Sequence, residues 1–204
     1  MNTKLFVFEP KPVLLRTDEI TLKPLDTDDA EGFYLAGNYP ELWRWVAPNH
    51  CASIAATKSW IKQSLVEQQL GNHIPFVIID NSTDTVIGST RYCSIRPADR
   101  GIEIGFTFIT PRFQRSFVNT QAKFLLLQHA FESLGAIRVE FKTHEKNEKS
   151  RNAIQRIGAT FEGVLRNLRI LPDGSLRNTA IFSITEKEWP TVKQTFQNKL
   201  TSGY

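Results

Sequence analysis

PRFQRSFVNTQAKFLLLQHAF, residues 111–131, decides how the rest of the chain is read. Its second half places Phe124, Leu127, Ala130 and Phe131 at helical spacing, a stripe that continues to Leu134 and stops at Gly135. An amphipathic helix is therefore expected from Asn119 onward. Its first half is polar, carries Arg112 and Arg115, and holds no glycine. A loop that feeds a helix N-terminus offers unpaired backbone N–H groups at the positive end of the helix dipole, an arrangement that grips phosphate. It can equally be a plain strand-to-helix connection with solvated arginines, and the loop by itself leaves both readings open.

Upstream, Ile102, Ile104, Phe106 and Phe108 alternate strictly. The intervening Glu103, Gly105, Thr107 and Ile109 form a polar and small face, as expected of a strand with one face off the core. Downstream, Ile137, Val139 and Phe141 alternate with Arg138, Glu140 and Lys142; Asn147 then caps a short helix through Ala153, Ile154 and Ile157, closed by Gly158. Nearer the start, Ile20, Leu22 and Leu25 read as a strand, and DTDD (26–29) opens a helix through Ala30, Phe33 and Tyr34. Residues 53–70 form a second helix with Trp60, Ile61, Leu65 and Leu70 near helical spacing. PFVIID (75–80), the turn NSTD (81–84) and residues 85–95 read as a hairpin, LPDGS (171–175) as the turn of another, and residues 186–200 as a final helix. That order predicts an α/β (α+β) fold on one central sheet.

The 204 residues suit one domain, 1–204, and 41% hydrophobic content with fourteen Phe excludes a disordered chain. The net charge of +4 is spread out and lacks the aromatic interleaving of a single-strand platform, so no nucleic-acid partner is expected; a phosphorylated small molecule suits the same excess. Cys51, Cys93 and the four histidines show no ligand spacing, so no metal is expected and the thiols read as buried. The N-terminal apolar run is too short for a signal peptide, and no stretch approaches ~18 apolar residues, so a cytoplasmic protein with no membrane partner is expected. Monomer and homodimer both stay open.

The chain resembles the GNAT superfamily of acetyl-CoA-dependent N-acetyltransferases, and within it the ribosomal-protein N-terminal acetyltransferases. The resemblance runs from about residue 15 to 189 and is carried by PRFQRSFVNTQAK (111–123), NEKSRNAIQRIG (147–158), EGVLR (162–166) and DGSLR (173–177). It implies a mixed, mostly antiparallel sheet flanked by helices, with the strands at 102–109 and 137–143 parallel and splayed at the cofactor cleft. Acetyl-CoA is the implied cosubstrate. Its pyrophosphate would be wrapped by Arg112, Gln114, Arg115, Ser116, Phe117, Val118, Asn119 and Thr120. The family pattern is Gln or Arg, two residues, Gly, one residue, then Gly or Ala: Gln114 matches, while Phe117 and Asn119 stand at the glycine positions. Phe117 would be strained if its position needs φ > 0.

By the same resemblance, backbone groups of Phe108 and Ile109 would bond the pantetheine amides, and Asn147 and Ser150 would face the thiol. Without the resemblance, Asn147 reads as a helix cap and Ser150 as a first-turn polar residue. The position where many members carry a tyrosine holds Ile154, which leaves Ser150 as the thiolate donor. Glu103 is the candidate base, acting through water, with an ordinary strand glutamate as the competing reading. Trp43, Trp45 and Trp60 line an acceptor pocket or belong to the core. Arg166 and Arg177 would pair with carboxylates across the last hairpin. The implied activity is acetyl transfer to a primary amine, on a protein N-terminus or a small molecule, by direct attack in a ternary complex. A non-catalytic acyl-CoA-binding or sensing protein is the alternative that Phe117 and Ile154 suggest.

Overall fold

The computed structural model describes residues 8–46, 48–171 and 173–201. After β1 (Leu15–Arg16) and β2 (Ile20–Pro24), Asp26 and Asp29 close a reciprocal capping box that leads into α1 (Ala30–Gly37). The side chain of Ser53 accepts from the Ala56 N–H and starts α2 (Ile54–Gln69). β3 (Ile74–Asp80) and β4 (Thr85–Arg96) make the expected hairpin, followed by β5 (Gly101–Ile109), α3 (Phe117–Gln128), β6 (Arg138–His144) and α4 (Glu148–Arg156). The hairpin of β7 (Thr160–Ile170) and β8 (Leu176–Thr185) turns at Gly174, where φ is +81°, and α5 (Trp189–Thr201) follows.

All eight strands join one sheet in the order β1-β2-β3-β4-β5-β6-β8-β7. Every neighbour pair is antiparallel except β5 and β6, which run parallel. The mixed, mostly antiparallel sheet expected above is the sheet observed. One buried cluster joins Phe76, Tyr92, Ile102 and Phe141 of the sheet to Val118 and Leu126 of α3, Ile154 of α4 and Phe196 of α5. A second joins Phe33 of α1 and Ile61 of α2 to Val77 and Phe108. Cys51 and Cys93 are both buried. Among the described residues no helix is long and apolar enough to cross a membrane.

The alternation read in β5 breaks at one place. Ile102, Ile104 and Ile109 belong to the α3-side cluster, whereas Phe108 belongs to the cluster with α1 and α2. The cause is a bulge: the β4–β5 register slips between Ser89 and Arg91, and Phe106 opposite it has φ of +52°. One extra residue shifts the side-chain parity of everything after it, so Thr107 and Ile109 leave the face that carries Glu103.

Three further expectations are corrected. α3 begins at Phe117 rather than Asn119, because the Ser116 hydroxyl accepts from the Val118 N–H at 3.3 Å and caps the helix there; beyond Gln128 it passes into a π-helical turn, His129–Ser133. α5 begins three residues late, because the Glu188 carboxylate accepts from the Thr185 N–H at 2.8 Å and its hydroxyl at 2.7 Å, holding the intervening residues in a turn. Neither Arg166 nor Arg177 joins an ion pair among the described residues; Arg177 instead donates to the Trp45 carbonyl at 3.5 Å.

Gly88 of β4 lies opposite Ile109, where a Cβ would stand 2.5 Å from the Phe108 carbonyl oxygen. Backbone just past a bulge cannot swing aside as a side-chain tip can. Gly88→Ala is therefore expected to destabilise the fold by about 1–3 kcal/mol in urea unfolding. An unchanged midpoint would contradict this strand geometry.

Candidate active site

The parallel ladder between β5 and β6 lasts three pairs: Gly101 with Arg138, Ile102 with Val139, and Glu103 with Glu140. Beyond them β6 continues to pair with β8 as far as His144, and β5 with β4 as far as Ile109. The two edges that face each other therefore lack ladder partners, and Phe108 and Ile109 lie on the open part of β5. An extended ligand can add itself to such an edge by backbone hydrogen bonds.

Charged side chains fix where the strands part. Glu140 accepts from Arg96 at 2.9 Å, from Arg138 at 3.0 Å and from Lys142 at 3.2 Å, while Lys142 also reaches Glu103 across the ladder at 2.9 Å. Arg138 grips Glu162 with two contacts of 2.6 Å, and that fork holds the Glu162 carboxyl down at about 2.

The opening loop closes on this gap. Gln114 donates to the Ile109 carbonyl at 2.8 Å and accepts from Lys149 in the first turn of α4, so one side chain ties the end of β5 to the helix beyond β6. Arg115 has φ of +59°, a left-handed conformation that costs a non-glycine residue roughly 1–2 kcal/mol. Phe117 is an ordinary first-turn helical residue, half-buried against the α3-side core. The condition for strain at Phe117, a need for positive φ, is not met, because the chain reverses two residues earlier. Arg112 and Arg115 are exposed, Gln114, Ser116 and Asn119 half-buried, and Val118 and Thr120 turn their side chains inward.

Across the gap, Asn147 caps α4 by accepting from the Ser150 N–H at 3.2 Å, and Ser150 is half-buried in the first turn. Ile154, one turn on, is core.

Glu103 is 9% exposed, and its Oε2 accepts from Lys142 and from the Ser94 hydroxyl, each at 2.9 Å. A Cβ on Gly105 would stand 3.2 Å from Glu103 Oε1, so the glycine leaves room beside that oxygen. An aromatic cleft lined by Phe33, Trp43, His50, Trp60 and Phe106 lies on the α1–α2 side of the sheet. Trp43 and Trp60 thus serve both as core and as cleft wall, whereas Trp45 packs on His144, with 4.7 Å between ring centres. Burial and the nearby Arg91 charge push His50 down to about 4, so it is neutral at physiological pH. The Arg91 guanidinium is sandwiched between Trp60 at 4.4 Å and Phe106 at 4.5 Å and contacts His73 and Ser64.

Lys123 went unread in the sequence although a signal was there: it stands four residues before Leu127 and seven before Ala130, on the buried stripe of α3. Its Nζ donates to the Thr107 hydroxyl at 2.6 Å, lies 3.5 Å from the Thr90 hydroxyl, and is 5.9 Å from the centre of the Phe141 ring. The ammonium therefore lies against β5 and β4 on the α3 side of the sheet, at the part of β5 that has left β6, with the Phe141 ring of β6 beyond it, and no carboxylate pairs with it among the described residues. Burial pushes its pKa down to about 7.

Residues 19–160 match the family model for the acetyltransferase (GNAT) domain. The chain is 24% identical over 173 residues to the uncharacterized N-acetyltransferase YoaA of Bacillus subtilis (strain 168), spanning 85% of this chain and 97% of that one. It superposes on the crystal structure of a GCN5-related N-acetyltransferase from Brucella melitensis with a TM-score of 0.88 and 28% identity, covering 97% of this chain and 90% of the other. It is also similar to the microcin C7 self-immunity acetyltransferase MccE, solved in complex with acetyl-CoA and AMP, with a TM-score of 0.74 and 27% identity over 83% of this chain and 93% of that one.

The buried amine has a consequence for stability. Lys123 titrates at about 7 in the fold, against a reference near ~10.4 in an unfolded chain. Between those values the unfolded chain binds more protons, so the lysine's contribution to stability rises with pH, by up to about 1.4 kcal/mol per unit. In urea unfolding, Lys123→Met should be more stable than the parent near neutral pH and lose that advantage steadily as pH approaches about 10. A difference that does not change with pH would show that Lys123 titrates as an exposed lysine does.

Proposed function

The chain belongs to the GNAT family of acetyltransferases, and from that premise we propose that this acetyl-CoA-dependent N-acetyltransferase acts on a primary amine, with a protein N-terminal α-amine as the favoured acceptor and a small-molecule amine as the other. Both substrates would be bound at once, with direct attack of the amine. The observation that carries this reading is the parted β5–β6 pair, with the first turn of α3 at one side of its mouth and the first turn of α4 at the other, bridged by Gln114 and Lys149. An open backbone edge suits the amides of a pantetheine arm, and exposed Arg112 and Arg115 beside a helix N-terminus suit a pyrophosphate.

Acetyl-CoA supplies the activated acetyl group and leaves as the free thiol. Phe108 and Ile109 would hold the arm through backbone N–H groups, the Ile109 carbonyl being taken by Gln114 and the Phe108 carbonyl lying against Gly88, and residues 115–120 would hold the phosphates. Gln114 has a different part from the one its place in the motif suggests: its amide is committed to Ile109 and Lys149, so it shapes the loop. Asn147 and Ser150 stand at the thiol end, where the serine hydroxyl can hydrogen-bond sulfur. Glu103, with Oε2 committed and Oε1 beside Gly105, would take the amine's proton through water. An α-amine, with a reference pKa near ~8, loses a proton at neutral pH more readily than a lysine near ~10.4. The non-catalytic alternative is weakened at one of its two supports, since Phe117 is an ordinary helical residue without positive φ.

Release of thiol from acetyl-CoA, followed with peptides bearing free or blocked N-termini and with polyamines, tests the acceptor: turnover confined to free N-termini is expected, and turnover confined to polyamines overturns that part. Glu103→Gln should reduce turnover by ~10²–10⁴-fold with acetyl-CoA affinity kept, most severely at low pH where more amine is protonated. A loss under about threefold at every pH would remove Glu103 as the base.

A further inference from the structure

Lys123 is a buried amine with no carboxylate partner among the described residues, and its Nζ lies against Thr107 on the part of β5 that has left β6. A lysine in such a place is expensive to keep charged unless the charge has a use. We propose that Lys123 is the acid for the leaving sulfur of acetyl-CoA: its ammonium, on the α3 side of the β5–β6 gap, donates a proton to the thiolate as the thioester opens. The proposal rests on the acetyl-CoA reading given above.

The acceptor nitrogen forms the C–N bond to the acetyl carbon and gives up its own proton through water to Glu103. The C–S bond breaks, its electron pair stays on sulfur, and the proton from Lys123 makes the free thiol; solvent then reprotonates the amine. Direction favours the transfer, since an ammonium titrating at about 7 is a stronger acid than a thiol near ~8.5. The Ser150 hydroxyl can hydrogen-bond a thiolate, but it is far too weak an acid to surrender a proton for good. Ile154, buried in the core, offers no proton at all.

The groups that face Lys123 leave its proton to it. From β5 it meets the Thr107 hydroxyl, from β4 the Thr90 hydroxyl, and from β6 the Phe141 ring. Cys93 of β4 is the titratable group whose charge bears on it, and burial first, with the Glu103 charge second, pushes that thiol up to about 12, so it stays neutral. Tyr92 of β4 is likewise held neutral by burial and donates to the Leu126 carbonyl.

The direct test titrates the thiol of bound coenzyme A by thiolate ultraviolet absorbance, as a difference between protein with and without coenzyme A. The protein's own thiols do not interfere, because burial raises Cys51 to about 11 and Cys93 to about 12. Calorimetry with coenzyme A comes first: absence of binding to the parent protein would sink the acetyl-CoA reading itself. With binding established, the bound thiol of the parent should titrate no lower than that of free coenzyme A, because the amine gives up its proton first. A bound thiol lowered by about one unit or more would mean that the ammonium keeps its proton beside a thiolate, and would overturn the donation; this arm needs no variant. Lys123→Met should lose turnover while coenzyme A still binds; full turnover in that variant overturns the proposal. Lys123→Arg keeps the charge but cannot release a proton, so it should lower the bound thiol by at least about one unit and lose turnover, and an unchanged thiol titration there would put position 123 out of reach of the sulfur and overturn the proposal. Full turnover in Lys123→Arg would mean that charge alone suffices and that no proton comes from this residue.

Discussion

The parting of β5 from β6 after three residue pairs is the constraint on which the rest of the structure depends. A parallel pair inside a sheet would ordinarily continue until one strand ended. Here the closed end is fixed by charge, with Glu140 and Glu103 sharing Lys142 while Arg96 and Arg138 hold Glu140 from the side. The open end is forced by shape, since the bulge at Phe106 bends β5 and swaps its two faces. Peptide groups left unpaired inside a protein cost about 1–3 kcal/mol each. An open edge is therefore stable only where water or a ligand can reach it, and here the loop after β5 and the caps of α3 and α4 gather around it.

Two buried cations flank the bulge on opposite faces of the sheet. Arg91 is accommodated by aromatic rings, an imidazole and a serine, and Lys123 by two threonine hydroxyls and a ring. Neither has a carboxylate partner among the described residues. Such sites are costly for folding. On the α1–α2 side, burial and the Arg91 charge keep His50 neutral beside the tryptophans that line the cleft.

Much of this was legible in the sequence. The hairpins, the helices and the strand at β6 follow from periodicity and punctuation, and the quoted motifs carried the family. What escaped was local. The bulge was hidden because Phe106 continues the apolar alternation in the letters while its backbone leaves the pleat. Phe117 looked like a damaged glycine position, yet the left-handed residue is Arg115, and no side-chain pattern reports where a loop spends its positive φ. Ser116 moved the helix start by satisfying an amide, a contact that hydrophobic spacing does not register. Lys123 could have been found as a charged residue inside an apolar stripe. Its neighbours Thr107 and Phe141 come together only through the sheet.

Amide hydrogen exchange with and without coenzyme A tests the central claim most directly, because it reports the backbone edge itself. If the gap holds the pantetheine arm, exchange slows at residues 105–109 and 115–120 and stays unchanged in the β7–β8 hairpin. Saturating coenzyme A that leaves 105–109 untouched, or that protects the β7–β8 hairpin instead, would contradict the account.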